Sequence, residues 1–526
     1  MKVLVSDSLS DSGIEILTQA GLSVSVKTKL TPAQLIEEIG EYDGLIIRSG
    51  TKVTADVAKA AKRLKIIGRA GSGLDNVDLP AATKQGIVVM NTPGGNTITT
   101  AEHTFSLIFS MARQIPQANA SVKSGKWEKN RFMGMELFNK TLGVIGVGQI
   151  GSHVAKIALG AGMRVIAYDA YLSQERASKI GVRMVDMKTL YAESDIITLH
   201  TPLTAETKYL IDADAIGKMK TGVRIVNCAR GGIVNEKDLY DAMVSGRVAA
   251  AAFDVFEKEP VDPAHPLLTL DNFICAPHLG AATLEAQENV ATAIAEQVVD
   301  FLVRGVVRFA VNLPSIPADL LSTVTPYVYL AEKIGSFIGQ TIGGALSKIS
   351  IEYAGEVSAL QFAPMTVAAI KAILSPVLQE TVNVVNAPAL CKERGIAVTE
   401  TKGNESGNFT SLIRITVEAG NQTRSVSGAI FNKNEPRFVE IDQVALEVIP
   451  DGAMLYLLNE DRPGVIGGIG QLLAKNQINI SRMQLGRERP GGKAISVVGV
   501  DSIVTDDLIA EIRKLPFLIS VRQVQL

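Results

Sequence analysis

The chain is poor in several residue types, and each shortage removes a class of explanation. Among 526 residues there are three cysteines, Cys228, Cys275 and Cys391. They are odd in number, far apart and not spaced as a metal knuckle, which argues against a disulfide-stapled scaffold and against a cysteine-held metal. A reducing cytoplasm is the expected setting. Charge of one sign is scarce as well: 52 Lys and Arg stand against 54 Asp and Glu, a formal net charge of -2. That balance gives no electrostatic case for nucleic acid or an anionic membrane surface as partner. Long apolar runs are missing, because glycine, proline or charge breaks the best ones well short of a bilayer span. Met1-Lys-Val-Leu-Val-Ser-Asp already reads as a strand and lacks the apolar region and small-residue cleavage site of a secretory signal. Histidine is rare too, five in all.

What remains is ordinary globular material, 47% hydrophobic and 20% charged. Its length exceeds a single core, so roughly three or four domains are expected. From Lys2 to about Pro93, β-like runs (Lys2–Ser6, Leu22–Lys27, Leu45–Arg48, Lys65–Gly68, Val88–Asn91) alternate with helical stretches near Thr31–Gly40 and Thr54–Ala61. This alternation predicts a parallel sheet with crossover helices. Thr97–Arg113 reads as one long helix capped by Thr99 or Thr100, and Leu284–Arg304 as another. Between them, Thr141 to about Ala282 repeats the strand–helix alternation. Two long helices bracketing such a unit suggest an inserted domain, so the first domain is discontinuous: residues 1–98 and 286–314 around 99–285. Pro314-Ser-Ile-Pro317 reads as a linker. A mixed α+β segment at 318–450 follows, with a strand pair, Ser411–Ala419 and Thr423–Ile430, around Gly420-Asn421. Residues 452–526 follow the order βαββαβ of a ferredoxin-like module.

The central unit concentrates the chemistry. Gly146-Val-Gly148-Gln149-Ile150-Gly151 follows an apolar strand and opens an Ala-rich helix, and the next strand ends in Asp169. Gly146 permits the tight turn, Gly148 lets backbone approach a pyrophosphate, and Gly151 lets the helix pack closely. Asp169 can accept the ribose hydroxyls and repels a 2′-phosphate, so NAD is expected rather than NADP. The alternative is a glycine-rich turn without a ligand. Four later strand-like runs end in polar residues: His200-Thr201-Pro, Asn227-Cys228-Ala229-Arg230-Gly-Gly, Phe-Asp254-Val-Phe-Glu-Lys-Glu259-Pro and Ala-Pro277-His278-Leu279-Gly280. In a doubly wound fold these ends converge on one crevice.

Oxidation of a hydroxy acid needs a proton acceptor and a cation for the carboxylate. His103 lies in an apolar helix stripe and His153 on a helix, both structural by position. His265, in Asp262-Pro-Ala-His-Pro, reads as surface, and His200 lines the crevice. His278 ends a strand after a proline, and its ordinary pKa near 6.5 suits a reversible proton carrier. Glu259 is either its carboxylate partner or simply part of the charged loop Glu257-Lys-Glu259. Arg230 can hold a carboxylate through two bonds. Cys228 is expected to pack beside the nicotinamide rather than act as a nucleophile.

On these marks the chain resembles the D-2-hydroxyacid dehydrogenases, within them the long four-domain branch acting on 3-phospho-D-glycerate. The resemblance covers essentially the whole length. It implies α/β architecture with a Rossmann-type nucleotide domain inserted in a flavodoxin-like substrate domain, then an intervening domain and a C-terminal ACT regulatory domain. Arg230, Glu259 and His278 become the catalytic set. Gln149, Ile150, Asp169, Thr201, Cys228, Ala229, Arg230, Asp254, His278, Leu279 and Gly280 would touch NAD, with Ser72 reaching from the other domain. Substrate loops are implied at Arg48-Ser49, at Gly71-Ser-Gly73 and at Gly94-Gly95-Asn96, with Lys129 and Arg131 contributing from a neighbouring subunit. Each of these cations also reads as ordinary surface charge. Asn459, Asp461 and Asn479 match positions that bind serine in feedback-inhibited relatives; Asp461 alternatively caps the helix at Pro463. A homotetramer or homodimer is implied. Other 2-hydroxyacid reductases, and NADH-sensing corepressors, share the catalytic set.

Overall fold

The computed structural model describes residues 1–170, 174–314, 320–378, 381–403 and 405–526. Apart from Pro314, the linker expected at 314–317 lies outside the described residues. Two parallel sheets make up the first three hundred residues. In the first, strands Lys2–Val5, Ser23–Val26, Gly44–Ile47, Ile66–Arg69 and Val88–Asn91 take the order 2-1-3-4-5, the flavodoxin-like winding. Helix Leu284–Arg304 returns to one face of this sheet, where Val290, Ile294, Ala295 and Val298 pack on Val3, Val5, Ile66 and Val88. Thr283 caps its start, accepting the Ala286 N–H, and Gly305 in the left-handed region ends it.

The second sheet has seven strands. Counting from Thr141–Ile145, they lie in the order 7-6-5-4-1-2-3, all parallel. Order therefore reverses beside the first strand, which places a crevice at the carboxyl ends of strands 1 and 4. Helix Thr97–Arg113 leads from the first sheet to the second. Its cap is Asn96 rather than Thr99 or Thr100. Thr100 turns its hydroxyl to the Gly280 carbonyl at 2.7 Å, so it is inside the helix and spent on the loop after strand Phe273–Cys275.

The carboxyl-terminal part contains a six-stranded sheet and a four-stranded antiparallel one. The latter has order 4-1-3-2 for strands Ala453–Glu460, Ile480–Arg487, Lys493–Val500 and Leu518–Gln525. Its strands alternate two apolar faces. Leu455, Leu457, Val498 and Val521 meet helices Val465–Lys475 and Asp506–Ile512. Met454, Tyr456, Ile495, Val497 and Val524 join one core with Phe337, Phe438 and Val448 of the preceding six-stranded unit. Arg424 seals the junction, its guanidinium 4.8 Å above the Tyr456 ring and paired with Asp442 at 2.5 Å. The six-stranded unit in turn touches the first lobe. Lys84 meets Glu393 at 2.8 Å, and Asn383 donates to the Gly86 carbonyl at 3.0 Å.

Candidate active site

A cavity of about 330 Å³ lies between the two lobes, bordered by strand ends from both sheets. On the nucleotide side, Gly146 takes φ +90, and a Cβ on Gly151 would sit 2.0 Å from the Gly146 carbonyl, so neither position has room for a side chain. Above Gly148 nothing lies within 4 Å, which leaves the turn open to an anion at the start of helix Gln149–Gly160. The Asp169 carboxylate accepts the Val147 N–H at 2.7 Å, fixing it at the fingerprint. Ile150, Thr201, Cys228 and Ala229 line the cavity, and the buried Thr201 hydroxyl lacks a hydrogen-bond partner among the described residues. These features fit a dinucleotide. Gln149 is turned elsewhere: its Oε1 accepts the Thr97 hydroxyl at 3.1 Å, bridging to the substrate lobe. Burial pushes the Cys228 thiol up to about 12, a protonated and unreactive sulfur.

His278 stands where the strand Phe273–Cys275 has ended, with φ +58. Asp254 holds this left-handed turn. Its two oxygens accept the Leu279 and Gly280 N–H groups, each at 2.8 Å, and its carbonyl accepts the His278 N–H at 2.9 Å. His103 Nε2 lies 3.1 Å from Asp254 Oδ1, off the line of a hydrogen bond. The His278 Nδ1 is 2.8 Å from Glu259 Oε2, and Glu259 Oε1 accepts the Phe256 N–H at 3.1 Å. That hydrogen bond raises the His278 pKa above its ordinary value; burial and Arg230 oppose, while the charges of Glu259 and Asp254 add to it. Burial pushes Glu259 up, but its bonds to His278 and to the Phe256 amide outweigh burial and leave it below the ordinary carboxylate value. With Nδ1 engaged, Nε2 is the ring atom left for a substrate. Burial holds His200, 3.0 Å from the Thr198 hydroxyl, down to about 4, a neutral wall of the cleft.

Three arginines border the same space, Arg48, Arg69 and Arg230, the first with its guanidinium donating to the Ser8 carbonyl at 3.3 Å. Arg230 donates to Asp75 at 2.8 Å and to the Ala229 carbonyl at 2.7 Å, and its Nη2 lies over Gly73. Arg48 is anchored through its backbone N–H on Asp7 at 2.6 Å. Arg69, absent from the candidates above, ends strand Ile66–Arg69 and lies directly over Gly71. Its Nε is buried without a hydrogen-bond partner among the described residues. Burial lowers its pKa to about 10, and Arg230 and Arg48 push the same way. The strand-end pattern applied to the first sheet picks it out. Ser49, Gly71, Ser72 and Asn96 complete the wall, with Ser72 donating to Asn96 Oδ1 at 2.8 Å.

Some expected residues stand apart. Arg131 pairs with Glu128 and Asp271 of its own chain, away from the cavity. His265 is half-buried: its ring bonds Glu236 and caps the turn Pro266–Thr269. Asp461 does not cap the helix after it, whose cap is Gly464; its carboxylate accepts the Gly491 N–H and Arg487, each at 3.0 Å. Asn459 is buried against Ser496, while Asn479 bonds Asp501. Because Asn459 pairs with Ala494 whereas Val500 pairs with Ala453, these two asparagines occupy opposite ends of the sheet in one copy.

Fold and cleft together define an NAD-dependent oxidoreductase. Residues 105–280 match the model for the NAD-binding domain of D-isomer-specific 2-hydroxyacid dehydrogenases, 323–442 that of the D-3-phosphoglycerate dehydrogenase intervening domain, and 453–517 the ACT domain. The D-3-phosphoglycerate dehydrogenase of Archaeoglobus fulgidus is 46% identical over 100% of both chains. That of Bacillus subtilis is 41% identical over 100% of this chain and 99% of its own. Among solved structures, a glyoxylate reductase from Paecilomyes thermophila is 29% identical with a TM-score of 0.55, covering 59% of this chain and 98% of its own. The chain belongs to the D-3-phosphoglycerate dehydrogenase family, and NAD is its cofactor.

Proposed function

We propose that the protein oxidises 3-phospho-D-glycerate to 3-phosphooxypyruvate in the cytoplasm, the first step of L-serine synthesis. The observation that carries this is the convergence of three arginines on a cavity also lined by His278, whose ring is held by Glu259 from behind. A substrate with a carboxylate and a phosphate needs that much positive charge, and a smaller hydroxy acid does not. NAD, bound over Gly146–Gly151, Asp169 and Thr201, supplies hydride acceptance. Arg230 holds the carboxylate and the carbonyl oxygen as it forms. Arg48 and Arg69 face the phosphate, and Asn96 with the Gly71–Ser72 backbone orients the remaining oxygens. His278 Nε2 takes the hydroxyl proton, and Glu259 stabilises the imidazolium so formed.

The proposed division of the chain is a discontinuous substrate lobe (1–98, 286–314), an NAD lobe (99–285), an intervening domain (318–450) and an ACT domain (452–526). The NAD lobe exposes Trp127, Met133 and Phe138 by 86%, 79% and 64%. Such an apolar face supports pairing of two copies, which would carry Arg131 toward the partner's cleft. A dimer or tetramer also supports serine binding between paired ACT domains, where Asn459 and Asp461 of one copy meet Asn479 of another. The test is absorbance at the NADH band with phosphorylated and unphosphorylated 2-hydroxy acids, with and without serine, for wild type and His278→Gln. Equal turnover of the unphosphorylated acids would reject the substrate, and wild-type turnover by the variant would reject the base.

A further inference from the structure

Outside the cleft, a small polar cluster ties together the two loops that carry its chemistry. One loop follows strand Val223–Asn227 and contains Arg230; it runs through Gly231 into helix Glu236–Val244. The other follows Val248–Phe253 and contains Phe256, Glu257 and Glu259. Glu236 and Glu257 exchange backbone amides across the gap. The Glu257 N–H donates to Glu236 Oε1 at 2.7 Å, and the Glu236 N–H to Glu257 Oε1 at 3.3 Å. The Tyr209 hydroxyl donates to Glu257 Oε2 at 3.1 Å. The remaining Glu236 oxygen is 3.0 Å from His265 Nε2. On the far side of that ring, Nδ1 accepts the Leu267 N–H at 3.3 Å. This assigns the imidazole proton to Nε2 and makes His265 the donor to Glu236.

Glu236 is only 8% exposed, and burial raises its pKa, with the Glu257 N–H and His265 opposing. A buried carboxylate stays ionised only where donors surround it, so His265 and the Glu257 amide together maintain the brace. The backbone it grips at Glu257 adjoins Phe256, whose amide binds Glu259. We propose that the Glu236–His265 pair is a positioning element of catalysis, fixing the spacing between Arg230 and the Glu259–His278 pair without touching substrate. The proposal rests on the acid–base reading of His278 and Glu259.

Its signature is a pH profile. His278 is faced by Glu259, Asp254 and Arg230; Glu259 by His278, the Phe256 amide and Asp254; Glu236 by Glu257 and His265. Slackening Glu259 weakens the bond that raises His278, so the acid limb of phosphoglycerate oxidation moves to lower pH. The test uses full-length His265→Asn, because asparagine still caps the Leu267 amide but is too short to reach Glu236. We expect a modest drop in melting temperature as Glu236 loses one donor, kcat lower by about tenfold, and the acid limb displaced downward. Glu259→Gln is run beside it. If Glu259→Gln moves the limb while His265→Asn leaves limb and kcat unchanged, the brace has no catalytic role. If Glu259→Gln leaves the limb in place, the acid–base reading itself fails and takes the proposal with it. Should His265→Asn not fold, Tyr209→Phe removes one outer bond of the cluster; a smaller shift in the same direction is expected, and no shift overturns the proposal.

Discussion

Gly231→Ala offers the sharpest test of how closely the two catalytic loops are set. A Cβ on Gly231 would lie 1.9 Å from the Phe256 carbonyl oxygen, 2.1 Å from its carbon and 2.6 Å from the Glu257 nitrogen. All three are backbone atoms, so no rotamer change relieves the clash. Reaching even a 3.0 Å contact moves one loop against the other by about 1.1 Å. One loop holds Arg230 and the other Glu259, so the displacement falls directly on the reacting geometry. A misplacement of about 1 Å costs about 100-fold in rate, or about 2.7 kcal/mol of barrier. Overpacking adds a stability loss of about 1–3 kcal/mol. The glycine fingerprint is on another strand end, but Cys228 and Ala229 on the displaced loop also line the cofactor cleft, so NAD affinity falls by less than the turnover does. Initial rates at saturating substrates, NADH fluorescence titration and thermal melting measure the three quantities separately. A kcat near wild type, with melting and NAD affinity intact, would show that these loops tolerate separation and would refute the reasoning.

Because Glu259 raises the His278 pKa, oxidation should speed up with pH through a value above the ordinary 6.5, while reduction slows over the same range. By linkage, the stability His278 contributes is full below its unfolded pKa and lost as pH rises through the folded one, whereas that of Glu259 is lost as pH falls through its lowered value. Glu259→Gln should move both profiles to lower pH, and coincident profiles in the two proteins would contradict the pairing. Arg69→Leu should raise KM for phosphoglycerate by about 10- to 100-fold, the value of a charge-assisted hydrogen bond, with NAD affinity unchanged. An unaltered KM would remove Arg69 from the phosphate site. Asp169→Ala should weaken NAD by about tenfold and narrow the preference over NADP; competitive titration of the two cofactors decides it.

Much of the fold was legible because local signals and tertiary packing agree. Helices Thr97–Arg113 and Leu284–Arg304 end where their apolar periodicity ends, and the hairpin around Gly420 turns where a left-handed residue was available. The crevice was legible because strand ends in a doubly wound sheet are forced to meet. The misreadings share one cause, a side chain drawn to a partner distant in sequence. Thr100 spends its hydroxyl on Gly280, 180 residues away, and is therefore not a cap. His265, in a proline-rich loop that reads as surface, is recruited by Glu236. Asp461 has a helix start immediately after it, yet Gly491 and Arg487 take its carboxylate. Arg69 escaped notice because it stands one residue beyond the apolar run Lys65–Gly68, although the strand continues through it.

The core shared by Phe337, Phe438, Tyr456 and Val524 has a mechanical consequence. Swinging the last four strands on their own would tear open this shared interior and strip Arg424 from its aromatic seat, so the four strands move only together with the preceding six. That larger block leans on Gly86 and Lys84, at the foot of the strand whose far tip, Asn91 with Thr92 beyond it, clasps Ser72 and Gly71. The six-stranded unit and the substrate loop thus contact opposite ends of one short strand, Val88–Asn91.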